Sequence, residues 1–232
     1  MKTIFKPDAV LFDLDGTLLD TAHDLGNALN KLLKTLNLPS KAYDEYRDSA
    51  SHGSYGMLKI GLGELYDSLI TEDLRQQFLD HYEAEINKST VFFNGIEQLI
   101  DLLDINKIPW GIVTNKPGYL TDQLAVQYSA LKNCKVIISG DTLPERKPHP
   151  APVLYAANKM NIQPEKCWYV GDAVRDIQAG NAAKMYTVLA EWGYTKDLLP
   201  VKDWQADVLT KTPHDLTKLI QRKLNEQAKA GK

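Results

Sequence analysis

The chain has 232 residues, 44% hydrophobic and 25% charged, enough to bury one large core or one core with an inserted lobe. Its 27 basic and 30 acidic residues leave a net charge of −3, which excludes the electrostatic footprint of a nucleic-acid or anionic-membrane binder. No signal-peptide or membrane-span pattern is visible, and the isolated Cys134 and Cys167 suit reduced structural thiols, so a cytoplasmic protein is expected.

Ala9-Val10-Leu11-Phe12 reads as a buried strand that ends in Asp13-Leu14-Asp15-Gly16-Thr17. Open α/β sheets bind their ligands outside the carboxyl ends of strands. Two carboxylates one residue apart, before a glycine that permits a tight turn, suit a nucleophile, a proton-transfer group and a hard cation. The same residues also suit a calcium-loop fragment or an ordinary strand-ending turn. From about Thr21 to Ser89 the texture changes. Leu25, Ala28, Leu29, Leu32, Leu33 and Leu36 form one helical stripe, Leu74, Phe78, Leu79 and Tyr82 form another, and no β-rich run intervenes. This predicts a helical lobe, residues 21–89, inserted into a core made of residues 1–20 and 90–232. Its connections are expected near Leu19–Asp20 and Asn94–Gly95. Ser51-His52-Gly53-Ser54-Tyr55-Gly56 interrupts the lobe's helical pattern, as a functional loop or as a helix–helix turn.

Five more strands are predicted at Trp110–Thr114, Val136–Ser139, Cys167–Val170, Tyr186–Leu189 and Asp207–Leu209, most of them separated by helical patterns. Such alternation implies an α/β fold with a doubly wound parallel sheet covered on both faces. The basic tail from Lys218 to Lys232 reads as a solvated helix end. At the tip of the second core strand, Thr114 and Asn115 offer neutral donors to phosphate oxygens, or helix caps. Lys147, stiffened by Pro148 and Pro150, is a fixed point charge or plain surface. Asp172 and Asp176 follow the fourth core strand at i, i+4 spacing, either as site carboxylates or as partners of a helix dipole. Asp13, Asp15, Asp172 and Asp176 are thus expected to converge on one sheet edge. Each like-charged pair about 4 Å apart costs roughly 4 kcal/mol at an effective dielectric near 20, so a cation is expected. Few ligands, all of them oxygen, point to Mg²⁺.

Taken together, Asp13-x-Asp15-Gly16-Thr17, Thr114, Lys147 and Gly171-Asp172-x-x-x-Asp176 resemble the four motifs of the haloacid dehalogenase superfamily, with the helical insertion where that superfamily places its first type of cap domain. Ser139-Gly140-Asp141, Lys147-Pro148-His149-Pro150-Ala151-Pro152 and Trp192-Gly193-Tyr194 resemble the phosphoglycolate phosphatase group. The lobe, Trp110–Pro117 and Trp204–Val208 also resemble N-acetylmuramic acid 6-phosphate phosphatases. The resemblance implies that Asp13 is the nucleophile and Asp15 the general acid and base. It implies Mg²⁺ on Asp13, the Asp15 backbone carbonyl and Asp172, phosphate oxygens on Thr114, the backbone after it at Asn115 and Lys147, and Asp176 orienting metal-bound water or Lys147. Related caps carry a glycine-containing specificity loop at the position of Ser51–Gly56; as such a loop, it offers hydrogen bonds from Ser51, His52 and Ser54 to a carboxylate or hydroxyls, with His52 the substrate contact to test first. Ala173 stands where the family often has Ser, and Lys184 where it often has Gly. The expected activity is hydrolysis of a small phosphomonoester. A phosphosugar mutase is the enzymatic rival, and an aspartate-phosphorylated signalling module the non-enzymatic one. Substrate, pathway and oligomeric state are not legible in these motifs.

Overall fold

The computed structural model describes residues 3–196 and 200–230. In chain order the elements begin with β1 (Ala9–Phe12), β2 (Leu19–Asp20), α1 (Ala22–Thr35) and α2 (Tyr43–Tyr46). A 3₁₀ helix, Arg47–His52, leads into α3 (Gly53–Leu62), α4 (Tyr66–Leu69), α5 (Glu72–Glu83), β3 (Val91–Phe92) and α6 (Ile96–Ile105). Then come β4 (Trp110–Val113), α7 (Gly118–Ala125), β5 (Ile137–Ile138), α8 (Ala151–Lys159) and β6 (Cys167–Gly171). The chain continues through α9 (Val174–Ala182), β7 (Tyr186–Ala190), β8 (Val208–Thr210) and α10 (Pro213–Ala230). The last two residues of the basic tail lie outside the described residues.

The main sheet has the order β5-β4-β1-β6-β7-β8, and every pairing in it is parallel. All six strands expected from the sequence are present, which makes the fold class the α/β one expected. β1 is buried on both faces: Val10 and Phe12 join one core cluster, and Ala9 and Leu11 join the other. That placement explains why β1 reads as an unbroken apolar run rather than an alternation. The chain winds outward from β1 through β4 to β5, then returns to β6 beside β1 and winds the other way. The reversal puts the tips of β1, β4 and β6 side by side at the switch point, where such sheets bind ligands.

Helices α1 to α5 carry a core of their own, in which Leu29, Leu32, Met57, Leu58 and Phe78 are buried. α5 is started by Thr71, whose hydroxyl accepts the Leu74 N–H at 3.1 Å. The chain enters and leaves these helices through β2 and β3, an antiparallel ribbon too short to show any alternation in sequence. The Asp24 carboxylate ties the exit to the entry, accepting the Ser89 and Thr90 N–H groups and the Thr90 hydroxyl. Ser51–Gly56 is a helix–helix junction and not an extended loop: its first two residues end the 3₁₀ helix, the chain turns at Gly53 with φ 61°, and the rest open α3. Gly56 serves close packing there, since a Cβ would lie 2.3 Å from that of His52.

Candidate active site

Asp13 directly follows β1, and its N–H donates to Val170 O of β6 at 2.9 Å, which fixes it beside Asp172. That bond, and the one from Thr114 N–H to Ile138 O at 2.9 Å, set the heights of the β1 and β4 tips. Three carboxylates meet there: one oxygen each from Asp13, Asp172 and Asp176 lies within 4.8 Å of the others, and all three residues are buried. The fully buried Lys147 ammonium sits among them, 2.8 Å from Asp13 Oδ1 and 2.7 Å from Asp176 Oδ1, and donates to Val113 O at 2.8 Å. Asp176 Oδ2 accepts the Ala173 N–H at 3.0 Å, anchoring the start of α9. Ala173 has no hydroxyl to return that bond, so half of the usual helix-start pair is missing without disturbing the carboxylate. Asp172 is held on both oxygens, by the Thr17 hydroxyl at 2.9 Å and by the Tyr194 N–H at 3.0 Å. Gly193 makes this possible, since a Cβ there would lie 2.2 Å from Gly16 O.

Of the four carboxylates expected at this sheet edge, three meet directly and the fourth lies beside them on the same cavity. Asp15 belongs to a neighbouring cluster, where its Oδ1 accepts the Thr21 hydroxyl at 2.7 Å and the Lys116 ammonium at 3.1 Å. Lys116 is buried, donates to Tyr82 OH of α5 at 2.9 Å and lies 4.4 Å from that ring's centroid. Asn115 also differs from expectation. Its side-chain amide bonds both ways to the Lys147 backbone, at 2.9 and 3.1 Å, so it positions that lysine instead of offering its amide to a ligand. The Thr114 hydroxyl accepts the Lys116 N–H at 3.1 Å, which leaves its proton to donate. Arg175 of α9, which none of the motifs includes as a site residue, reaches across to the Ser51 carbonyl and lies 3.9 Å from Asp13 Oδ2. Nothing local in the sequence marks Lys116 or Arg175, because their partners lie on other elements.

Part of this centre faces a cavity of about 270 Å³ between the sheet edge and the helical lobe. Asp13, Asp15, Thr114, Asn115, Lys116 and Arg175 line it from the core, and Ser51, His52, Ser54, Tyr55 and Arg75 from the lobe. Lys147 lies beneath Asp13, and His52 is exposed at the rim. Burial and then the Asp176 charge push Asp13 up to about 6, against the pull of Lys147 and Arg175. Burial, then Asp13 and Asp176, push Asp172 up to about 7. Burial opposes ionisation of Asp176 too, but Lys147 and Arg175 outweigh it and its pKa is lowered. Three carboxylates against two cations leave this group one negative charge in excess. A divalent cation fits that excess and the all-oxygen donor set.

Fold and site together define an α/β enzyme whose buried carboxylate–lysine centre opens into a cavity closed by a helical lobe. The family model for haloacid dehalogenase-like hydrolases matches residues 10–190, and the chain belongs to that family. It is 43% identical over 210 residues to a phosphoglycolate phosphatase of Xanthomonas campestris pv. campestris, covering 90% of this chain and 95% of that one. It is 32% identical over 216 residues to an N-acetylmuramic acid 6-phosphate phosphatase of Pseudomonas aeruginosa, covering 93% and 96%. The crystal structure of a predicted phosphoglycolate phosphatase from Haemophilus somnus has the same fold, with a TM-score of 0.82 at 24% identity over 94% of this chain and 99% of that one.

Proposed function

We propose that the protein is a cytoplasmic, Mg²⁺-dependent phosphomonoesterase that works through an aspartyl phosphate, with phosphoglycolate as its substrate. The observation that carries this reading is Asp13, a buried carboxylate at the switch point, beside Lys147 and facing the cavity with Asp15. Asp13 attacks phosphorus as the bond to the substrate oxygen breaks, and Asp15 gives that oxygen its proton. Water then attacks the phosphoryl group, Asp15 takes the water's proton, and the bond to Asp13 breaks to release inorganic phosphate. The Thr114 hydroxyl donates to an equatorial oxygen, where charge gathers in a loose transition state, and the buried Lys147 ammonium supports that charge from beneath Asp13 as a fixed positive charge. Asp13, Asp172 and the Asp15 backbone carbonyl would hold Mg²⁺, which when bound offsets the charge between an anionic nucleophile and an anionic substrate. The lobe, residues 21–89, acts as a cap that excludes bulk water.

N-acetylmuramic acid 6-phosphate is the second reading, favoured by the 32% relative. Both names denote a phosphate ester of a carboxylic acid. Phosphate release from each, measured with purified protein, decides between them. Free phosphate at one equivalent per substrate consumed separates hydrolysis from phosphosugar mutase chemistry. Excess chelator is expected to silence the enzyme and Mg²⁺ to restore it. Full activity with chelator present removes the metal from the mechanism.

The site's titration adds a stability test. Asp13 and Asp172 are raised above the usual 3.8 to about 6 and about 7 in the metal-free protein. They bind more protons folded than unfolded, so their contribution is fully present below about pH 4. It is lost as pH rises through 6 and 7. A bound cation removes this penalty. Mg²⁺ should therefore raise the unfolding temperature more at pH 8 than at pH 5; equal shifts at both pH values would count against Asp13 and Asp172 as the metal's carboxylate ligands.

A further inference from the structure

The cavity must recognise more than phosphate if it is to choose among phosphomonoesters, and what it recognises rests on the phosphomonoesterase reading above. Three cations are committed to the core: Lys147 to Asp13 and Asp176, Lys116 to Asp15, and Arg175 to Ser51 and the Asp13 carboxylate. Arg146, which is exposed, also lines the cavity from the core side, and Arg75 stands apart from all four, on α5 in the lobe wall and held by residues of the lobe. Its Nε donates to Ser54 Oγ at 3.0 Å, its Nη1 pairs with Glu72, and the guanidinium lies 5.0 Å from the centroid of the Tyr55 ring. The Tyr55 hydroxyl donates to Glu72 at 3.3 Å. Two residues of the Ser51–Gly56 segment thus orient an arginine that the sequence motifs never singled out.

The Arg75 side chain is 15% exposed and that of Glu72 70% exposed. An ion pair with so exposed a partner contributes little, so an incoming anion can take the place of Glu72 at small cost. A guanidinium carries five donors in a planar fork that matches a carboxylate, and Ser54 and Glu72 engage only part of that fork. In the phosphomonoesterase reading phosphate is met from the core side, by Thr114 with Lys147 beneath Asp13. We propose that Arg75 is the subsite for a carboxylate carried by the substrate, oriented by Ser54, Tyr55 and Glu72. The enzyme would then select phosphate esters of carboxylic acids from the wider pool of phosphomonoesters.

Matched ester pairs test this. Phosphoglycolate is paired with 2-hydroxyethyl phosphate, which has a hydroxymethyl group in place of the carboxylate. N-acetylmuramic acid 6-phosphate is paired with N-acetylglucosamine 6-phosphate, which lacks the acid arm. In wild-type protein the acid member of at least one pair is expected to have the higher kcat/KM. Arg75→Gln should lower that acid-to-neutral ratio roughly 10–100-fold, mostly through KM, because the contact is equal in ground and transition states. Arg75→Lys should recover part of it, since charge is kept and the fork is lost. Glu72→Gln, which removes the competing carboxylate, should lower KM for the acid member relative to its neutral counterpart. Parallel loss on both members of the pair, or an unchanged ratio, overturns the assignment. Wild-type protein that cleaves acid and neutral esters equally also overturns it while leaving the phosphomonoesterase reading intact. Protein that cleaves no phosphomonoester at all removes that reading, and this subsite with it.

Discussion

Asp13→Asn is expected to keep the fold and to lose phosphate release by roughly 10⁴–10⁶-fold, the scale seen when a covalent mechanism loses its nucleophile. The amide is nearly isosteric with the carboxylate but is a very poor nucleophile. Stability should not suffer, and near neutral pH it should improve in the metal-free protein. Asp13 is one of three crowded carboxylates, and its pKa is raised because the folded state disfavours its charge. Removing that charge relieves Asp172, whose pKa is pushed up in part by Asp13. Lys147 keeps Asp176 at 2.7 Å and the Val113 carbonyl at 2.8 Å, so it is not left stranded. Phosphate assays and thermal unfolding at pH 8 on the same preparation check both halves. Unimpaired turnover refutes the nucleophile assignment.

The parts of this architecture that are legible in sequence are those set by local pattern. β1 announces itself because a strand buried on both faces is apolar at every position, and its tip carries acids that an ordinary core strand would not. The ribbon of β2 and β3 is not legible, because two residues per strand cannot show a period. Gly53 and Gly56 suggest a loop or a helix–helix turn: Gly53, with φ 61°, is the break between the 3₁₀ helix and α3, whereas Gly56 is there for space. Lys184 stands where relatives often have glycine, and its φ of 60° is the left-handed conformation that makes glycine the easier choice. Side-chain roles that depend on a distant partner are the least visible. Thr114, Asn115 and Lys116 are consecutive, and the sequence favours the first two as phosphate donors. Folding instead turns the Asn115 amide onto the Lys147 backbone and buries Lys116 between Asp15 and Tyr82. No spacing rule encodes a contact between residues 101 positions apart.

That buried contact makes Asp15→Asn behave differently from Asp13→Asn in two measurable ways. Attack on phosphorus remains available, but the departing oxygen no longer receives a proton. Loss of such a transfer removes roughly 10²–10⁴-fold in rate. An alkyl phosphate, with a poor leaving group, should fall through that whole range, whereas para-nitrophenyl phosphate should be far less affected in the first step. Water attack on the aspartyl phosphate also needs the base. The aryl ester should therefore release about one equivalent of nitrophenol per enzyme and then stall. The second difference is stability. Lys116 is 5% exposed, and among the described residues Asp15 is its one carboxylate partner within salt-bridge distance. Neutralising one member of a buried pair costs up to about 3–5 kcal/mol, less here because an asparagine oxygen can still accept from Lys116 and Thr21. Asp15→Asn should therefore lower the unfolding temperature where Asp13→Asn does not. Adding Lys116→Met should restore stability without restoring activity, because the stranded charge goes while the missing proton donor stays missing. Equal rate losses on the alkyl and aryl esters, with no burst on the latter, would mean that Asp15 holds Lys116 in place but transfers no proton.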